Sequence, residues 1–172
     1  MSAVVYKIRQ ALVIPLTMAV ISLFALLLLS FFAKSLPGER FVLLTTFVSL
    51  AYLFLEALSR RVSLGVNGLE IGKFMRRKEL SWADVTHAGA LVIGKKVYAL
   101  LTTTKGFIIL SNNYERFSEL VGNLCRHMGE ERMDGELLKF IERPLINDKP
   151  VLSAWFLVLV LIAIITWRLF NF

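Results

Sequence analysis

Three stretches without a single charged side chain, residues 11–33, 41–55 and 151–167, limit what this chain can fold into more than any other feature. The first has 23 residues, and at about 1.5 Å per helical residue it crosses a hydrocarbon core of about 30 Å with some tilt to spare. With 56% hydrophobic and 19% charged residues and a mean hydropathy of +0.66, the chain is more apolar than a soluble domain, at about 45–50% and about 25%. Only residues 57–150 have an ordinary soluble composition. The sequence therefore predicts an α+β membrane protein: a hairpin over residues 1–59 with spans at about 11–33 and 41–58, an aqueous domain over 60–128, a connecting helix over 129–149, and a third span over 150–172.

Lys7 and Arg9 precede the first run as the basic end of a signal peptide would, but the run exceeds the apolar core of such a peptide and no small-residue cleavage site follows. An uncleaved anchor is expected, with Pro15 in its first turn or so, where a missing amide hydrogen costs little. Pro37-Gly38 in the connector 34–40 is a turn signal that brings the second segment straight back. That helix should continue through Glu56 to Leu58 and stop at Arg60-Arg61. Lys7, Arg9, Arg60, Arg61 and Lys149 fall on one side of the spans, against Lys34, Arg40 and Arg168 on the other. The positive-inside bias then puts the N-terminus and the aqueous domain in the cytoplasm and the C-terminus outside, with Trp155 and Trp167 at the two interfaces. Glu56 is the one acid near membrane depth, and pairing with Arg60 one turn later explains it without a functional role.

The net charge of +7 would raise the question of nucleic acid in a soluble protein. Residues 57–150 hold fifteen Lys and Arg against eleven Asp and Glu, a surplus that the cytoplasmic side of a membrane protein accounts for. The basic residues also lack an aromatic platform for stacking bases. Cys125 is alone, so no intrachain disulfide and no paired-cysteine metal motif exists. His87 and His127 have no partners at metal-ligand spacing, no phosphate-cradling glycine motif is present, and no nucleophile and base stand together. No enzyme, cofactor, metal, nucleic acid or small-molecule substrate is predicted.

From Arg61 onward the pattern is short alternating segments between turn signals, at 62–66, 69–71, 78–82, 86–93, 97–103 and 107–111. Asn67-Gly68 predicts a tight type I′ hairpin, and the short connections make the sheet antiparallel. Asn112-Asn113 can cap a helix whose apolar face is Phe117, Leu120, Val121, Leu124, Cys125 and Met128. Met133, Leu137, Leu138, Phe140 and Ile141 predict a second helix that Pro144 should end. Trp82 reads as core and Asp84 as a turn cap.

The phrases Asn67-Gly-Leu-Glu-Ile71, Lys78-Glu-Leu-Ser-Trp82-Ala-Asp-Val85 and Thr102-Thr-Thr-Lys-Gly106, followed by the helix over 114–128, resemble the bacterial PH-like (pleckstrin-homology-like) domains carried beside membrane helices. The resemblance covers roughly residues 60–128. It implies two packed antiparallel sheets, a barrel or sandwich, plugged at one end by a C-terminal helix. It also implies a role in binding or assembly, no catalytic residue and no dedicated phosphoinositide site, while the predicted spans make the chain a multi-pass protein of the cell (inner) membrane.

The densest charge cluster, Lys73, Phe74, Met75, Arg76, Arg77 and Lys78, should form the loop between the second and third strands. In the eukaryotic relatives that barrel end holds phosphates. Near an anionic leaflet each such cation attracts at about 1 kcal/mol, and Phe74 and Met75 could dip into the interface. The competing reading is a solvated basic hairpin. Membrane lipids and a protein partner or second copy are therefore the expected partners, and an accessory subunit of a larger membrane enzyme or channel is the alternative role.

Overall fold

The computed structural model describes residues 4–32, 36–94, 96–104, 106–142 and 147–170. Lys34, Lys95, Lys105 and the expected helix stop at Arg143-Pro144 lie outside them. The architecture is α+β, and the chain divides into two units.

The helical unit runs from Gln10 to Leu58 and from Asp148 onward. Its helices are α1 (Gln10–Phe32), α2 (Pro37–Ser59) and α5 (Lys149–Phe170), each long and apolar enough to cross a membrane. Ala19, Leu23 and Leu26 of α1 pack with Val158 and Leu161 of α5, and Leu43, Phe47 and Leu50 of α2 lie against that core. The rings of Phe24 and Phe47 are 5.6 Å apart. At one end Arg168 of α5 pairs with Glu39 of α2, and Arg40 Nε donates to the Ser30 carbonyl at 3.1 Å. The hydroxyls of Thr17, Thr45, Thr46 and Ser49 each donate to the carbonyl one turn back, which satisfies them within their own helices. Pro15 stands further into α1 than the first turn, so the Ala11 carbonyl goes without its helical donor.

The β unit takes the described residues up to Arg9 and those from Ser59 to Asn147. Two antiparallel sheets have the orders β1-β2-β3-β4 and β5-β6-β7. The first contains β1 (Val4–Lys7), β2 (Arg61–Leu64), β3 (Gly68–Lys73) and β4 (Arg76–Ser81); the second contains β5 (Val85–Ile93), β6 (Lys96–Thr103) and β7 (Gly106–Ser111). Strand β1 was not anticipated from the sequence. It lies before the first apolar helix and pairs with β2, Tyr6 opposite Val62, so one ladder is assembled across more than fifty intervening residues. The helices α3 (Phe117–Met128) and α4 (Gly135–Glu142) complete the unit.

Inward alternation builds the core: Val62 and Leu64, Leu69 and Ile71, Val97, Ala99 and Leu101, Ile108 and Leu110 are buried, as are Leu120, Val121 and Leu124 of α3. Tyr6 is 1% exposed. Its hydroxyl donates to Glu119 at 3.4 Å and accepts from Asn123 Nδ2 at 2.6 Å, and the Arg116 guanidinium lies 5.6 Å from its ring centre. Burial raises the Tyr6 phenol above its usual range, with the Asn123 bond opposing and Glu119 reinforcing the rise. This one residue ties the N-terminal strand to α3.

Two local expectations are corrected. The β2–β3 connection is not a type I′ turn: Leu64 pairs with Leu69 across four residues, Gly65 N–H donates to the Gly68 carbonyl at 2.9 Å, and neither Asn67 nor Gly68 has a positive φ. Gly68 is required for close approach instead, since a Cβ there would fall 2.0 Å from the Leu80 carbonyl oxygen. Asn112 and Asn113 do not cap α3; the cap residue is Arg116 in the left-handed region, φ 54°. Asp84 does close a capping box with Ser81, accepting from the Ser81 amide while the Ser81 hydroxyl accepts from Ala83. Trp82 is half-buried, not core: its Nε1 donates to the Gly65 carbonyl at 3.0 Å and its ring stacks on His127 at 4.6 Å.

Candidate functional site: a cationic groove between two strand edges

The basic segment is not a loop. Lys73 ends β3, Arg76, Arg77 and Lys78 begin β4, and only Phe74 and Met75 turn. The ladder reaches the turn because cross-strand pairing continues through Ile71 and Lys78, Gly72 and Arg77, and Lys73 and Arg76. Met75 has φ 58° and is 90% exposed. A positive φ at the second turn residue is the type II pattern that glycine normally serves, so an apolar side chain stands in solvent at a position that costs it backbone energy.

Register also sorts the cations by face. Residues paired across an antiparallel ladder share a face, and alternate residues along one strand switch faces. Lys78 shares the face of Ile71, Leu69 and Leu80, which are buried. Lys73 and Arg76 continue that same face, whereas Arg77 lies on the other with Glu70 and Glu79. Three of the four cations thus sit on the core side of the hairpin where the core ends.

There they border a groove of about 780 Å³. Lys73, Met75, Arg76, Arg77 and Lys78 line one wall, with Ile71 beneath; Phe107, Ile108, Ile109 and Ser111 of β7 line the other; Arg60 and Tyr114 complete it. Among the described residues five cations and no carboxylate line this space, Arg77 reaching its rim from the other face of the hairpin. Among the described residues Lys73, Arg76, Arg77 and Lys78 make no ion pair, while Arg61 nearby is held by Glu70 at 3.9 Å. Phe107 and Ile109 are 68% and 61% exposed, which makes the wall opposite the cations apolar. Tyr114 is buried, and burial raises its phenol above the usual range, with the positive Arg60 partly offsetting the rise. At neutral pH it is an uncharged hydrogen-bonding group beside the cations.

Of the six residues singled out from sequence, all but Phe74 line this groove. Arg60, Phe107, Ile109 and Tyr114 were missed. The run Phe107-Ile108-Ile109-Leu110 reads as a strand buried on both faces, but β7 is an edge strand that leaves Phe107 and Ile109 in solvent. Cys125 is half-buried on α3, and burial first, then Glu130, raises its thiol above the usual range, which disfavours the reactive thiolate. His127 is engaged with Trp82, and His87 stands on β5.

No protein-family model, no curated protein and no solved structure matches this chain.

Proposed function

We propose that the chain is a non-enzymatic, membrane-anchored binding protein whose PH-like β unit, cytoplasmic beside a multi-pass helical anchor, engages an anionic surface through the groove between β3–β4 and β7. One observation carries the reading: Lys73, Arg76, Arg77 and Lys78, which make no ion pair among the described residues, meet an apolar wall in one groove. A solvated basic hairpin would not require Phe107 and Ile109 to lie opposite in the open. Four strands, three strands and a following helix support the PH-like comparison in number and order, although the first strand comes from the far side of the helical hairpin.

The anchor supports the same reading. Only Ile8 and Arg9 separate β1 from α1, and only Arg60 separates α2 from β2. Connections so short hold the groove at a high effective concentration relative to anything else on the same membrane, so a modest intrinsic affinity suffices. Anionic lipid headgroups and an acidic protein face are the two surfaces the charge suits.

The test uses the full chain in nanodiscs, with Cys125→Ser and Met75→Cys carrying an environment-sensitive dye. Anionic lipid in the disc, or poly-glutamate added to a zwitterionic disc, should shift the emission, and salt should reverse it. Lys73→Ala with Arg76→Ala and Lys78→Ala should abolish the shift. A dye that responds to neither anion would refute the reading.

A further inference from the structure

The unit covers two of its four strand edges with its own backbone. Beside β1, Ile8 bridges to Tyr114, Arg9 N–H donates to the Asn113 carbonyl and Glu115 N–H to the Lys7 carbonyl. Beside β5, Ala88 bridges to Met133, and Asp134 N–H donates to the Ala88 carbonyl. The two remaining edges are β4 and β7, for which no covering strand is found among the described residues, and both line the cationic groove.

The ladder phase shows which groups the open edge of β7 presents. Asn112 N–H donates to the Val97 carbonyl at 2.8 Å, and hydrogen-bonded and non-hydrogen-bonded pairs alternate along an antiparallel ladder. Tyr98 opposite Ser111, Leu100 opposite Ile109 and Thr102 opposite Phe107 are therefore the non-bonded pairs. The amides and carbonyls of Phe107 and Ile109 and the amide of Ser111 point away from β6, a row of donors and acceptors with a strand's spacing that ends where the Ser111 carbonyl accepts from the Tyr114 amide at 3.3 Å.

We propose that this open edge of β7 accepts an extended acidic segment of a partner polypeptide as an added strand, its carboxylates met by Lys73, Arg76 and Lys78. The inference rests on the anion-binding reading above and names the source of the anion. Main-chain bonds supply affinity in strand addition, and alternate side chains supply selection. Here alternate residues of the incoming strand would meet Phe107 and Ile109 on one side and the cations on the other. Cations on an edge also discourage chance pairing, so the same side chains that repel a basic or neutral strand select an acidic one. A lipid headgroup would use the charges and leave the free amides of β7 without a role.

The experiment uses the full chain in zwitterionic nanodiscs and two synthetic peptides of equal composition, one alternating Glu and Val, the other with its Glu and Val in separate blocks. The alternating peptide should slow hydrogen exchange at Phe107 and Ile109 by about tenfold or more, the blocked one much less. Ile109→Pro removes an edge amide that makes no ladder bond, a substitution edge strands tolerate, and should weaken binding about tenfold, whereas Ile109→Thr should not. Unchanged binding by Ile109→Pro, with loss in Lys73→Ala/Arg76→Ala, would leave anion binding standing and overturn strand addition. Equal slowing of the same amides by anionic nanodiscs without peptide would assign the groove to lipid. Failure of the alternating peptide to bind would overturn the inference too. Should Ile109→Pro not fold, the exchange measurement on the unsubstituted chain decides alone.

Discussion

Truncating Tyr6 asks whether a strand that precedes the first apolar helix belongs to the β unit that follows the second. Tyr6 is 1% exposed and bonded to Asn123 and Glu119 of α3. Removing a large aromatic from such a site costs about 3–5 kcal/mol through lost transfer energy and the cavity left behind. Tyr6→Phe keeps the ring and removes only the hydroxyl, at about 1 kcal/mol, because Asn123 loses its acceptor. The difference between the variants separates packing from hydrogen bonding, and pairing Tyr6→Phe with Asn123→Ala in a double-mutant cycle isolates the bond itself. Unfolding is followed by the fluorescence of Trp82, which stacks on His127 of α3, in a Trp155→Phe/Trp167→Phe background in nanodiscs. Tyr6→Ala should lower the midpoint of the β unit far more than Tyr6→Phe. Equal midpoints for Tyr6→Ala and the parent would show that β1 contributes nothing to the unit, and the assembled first sheet would be wrong.

Met75→Gly should stabilise the β unit by about 1 kcal/mol, since glycine accepts the positive φ of that turn; a destabilisation on denaturant titration would contradict the turn geometry. Gly68→Ala should destabilise by at least about 2 kcal/mol, because its Cβ would meet the Leu80 carbonyl and the strand must move; a neutral effect in the same titration would rule out that contact. The raised phenols of Tyr6 and Tyr114 favour the neutral form in the folded unit, so their contribution is complete below the unfolded value of 10.0 and is lost as pH rises through the higher folded values. Unfolding midpoints should therefore fall above about pH 10, and less steeply in Tyr6→Phe, as thermal melts across an alkaline series would show. Cys125, its thiol raised by burial and Glu130, should react with a thiolate-selective reagent more slowly than a free cysteine at neutral pH; an equal rate would show an unhindered thiolate.

Several elements were legible before any coordinates. The apolar runs fall on α1, α2 and α5, because helix length and hydropathy are properties of one continuous stretch. Strand positions within 62–111 follow from period-two alternation, and the amphipathic face of α3 from its i, i+3, i+4 spacing. Turn chemistry was less readable: Asn67-Gly68 suits a type I′ turn, but Gly68 belongs to β3, paired with Ser81, and the loop closes between Leu64 and Leu69. The segment 73–78 shows its charge in sequence but not its ladder, since a two-residue turn with Met75 in the left-handed region defies residue preference.

The amino-acid order alone determined where the chain is apolar enough to cross a membrane, where it alternates, and that its cations cluster at 73–78, for each is decided by neighbours along the backbone. Only the tertiary structure decided that Val4–Lys7 joins Arg61–Leu64, that among the described residues the edges of β1 and β5 are covered while those of β4 and β7 stay open, and that Arg60, Phe107 and Tyr114 meet the basic hairpin. Strand partnership is a choice among many distant segments of similar pattern. It is settled by the free energy of the whole packed core, which no single window of sequence contains.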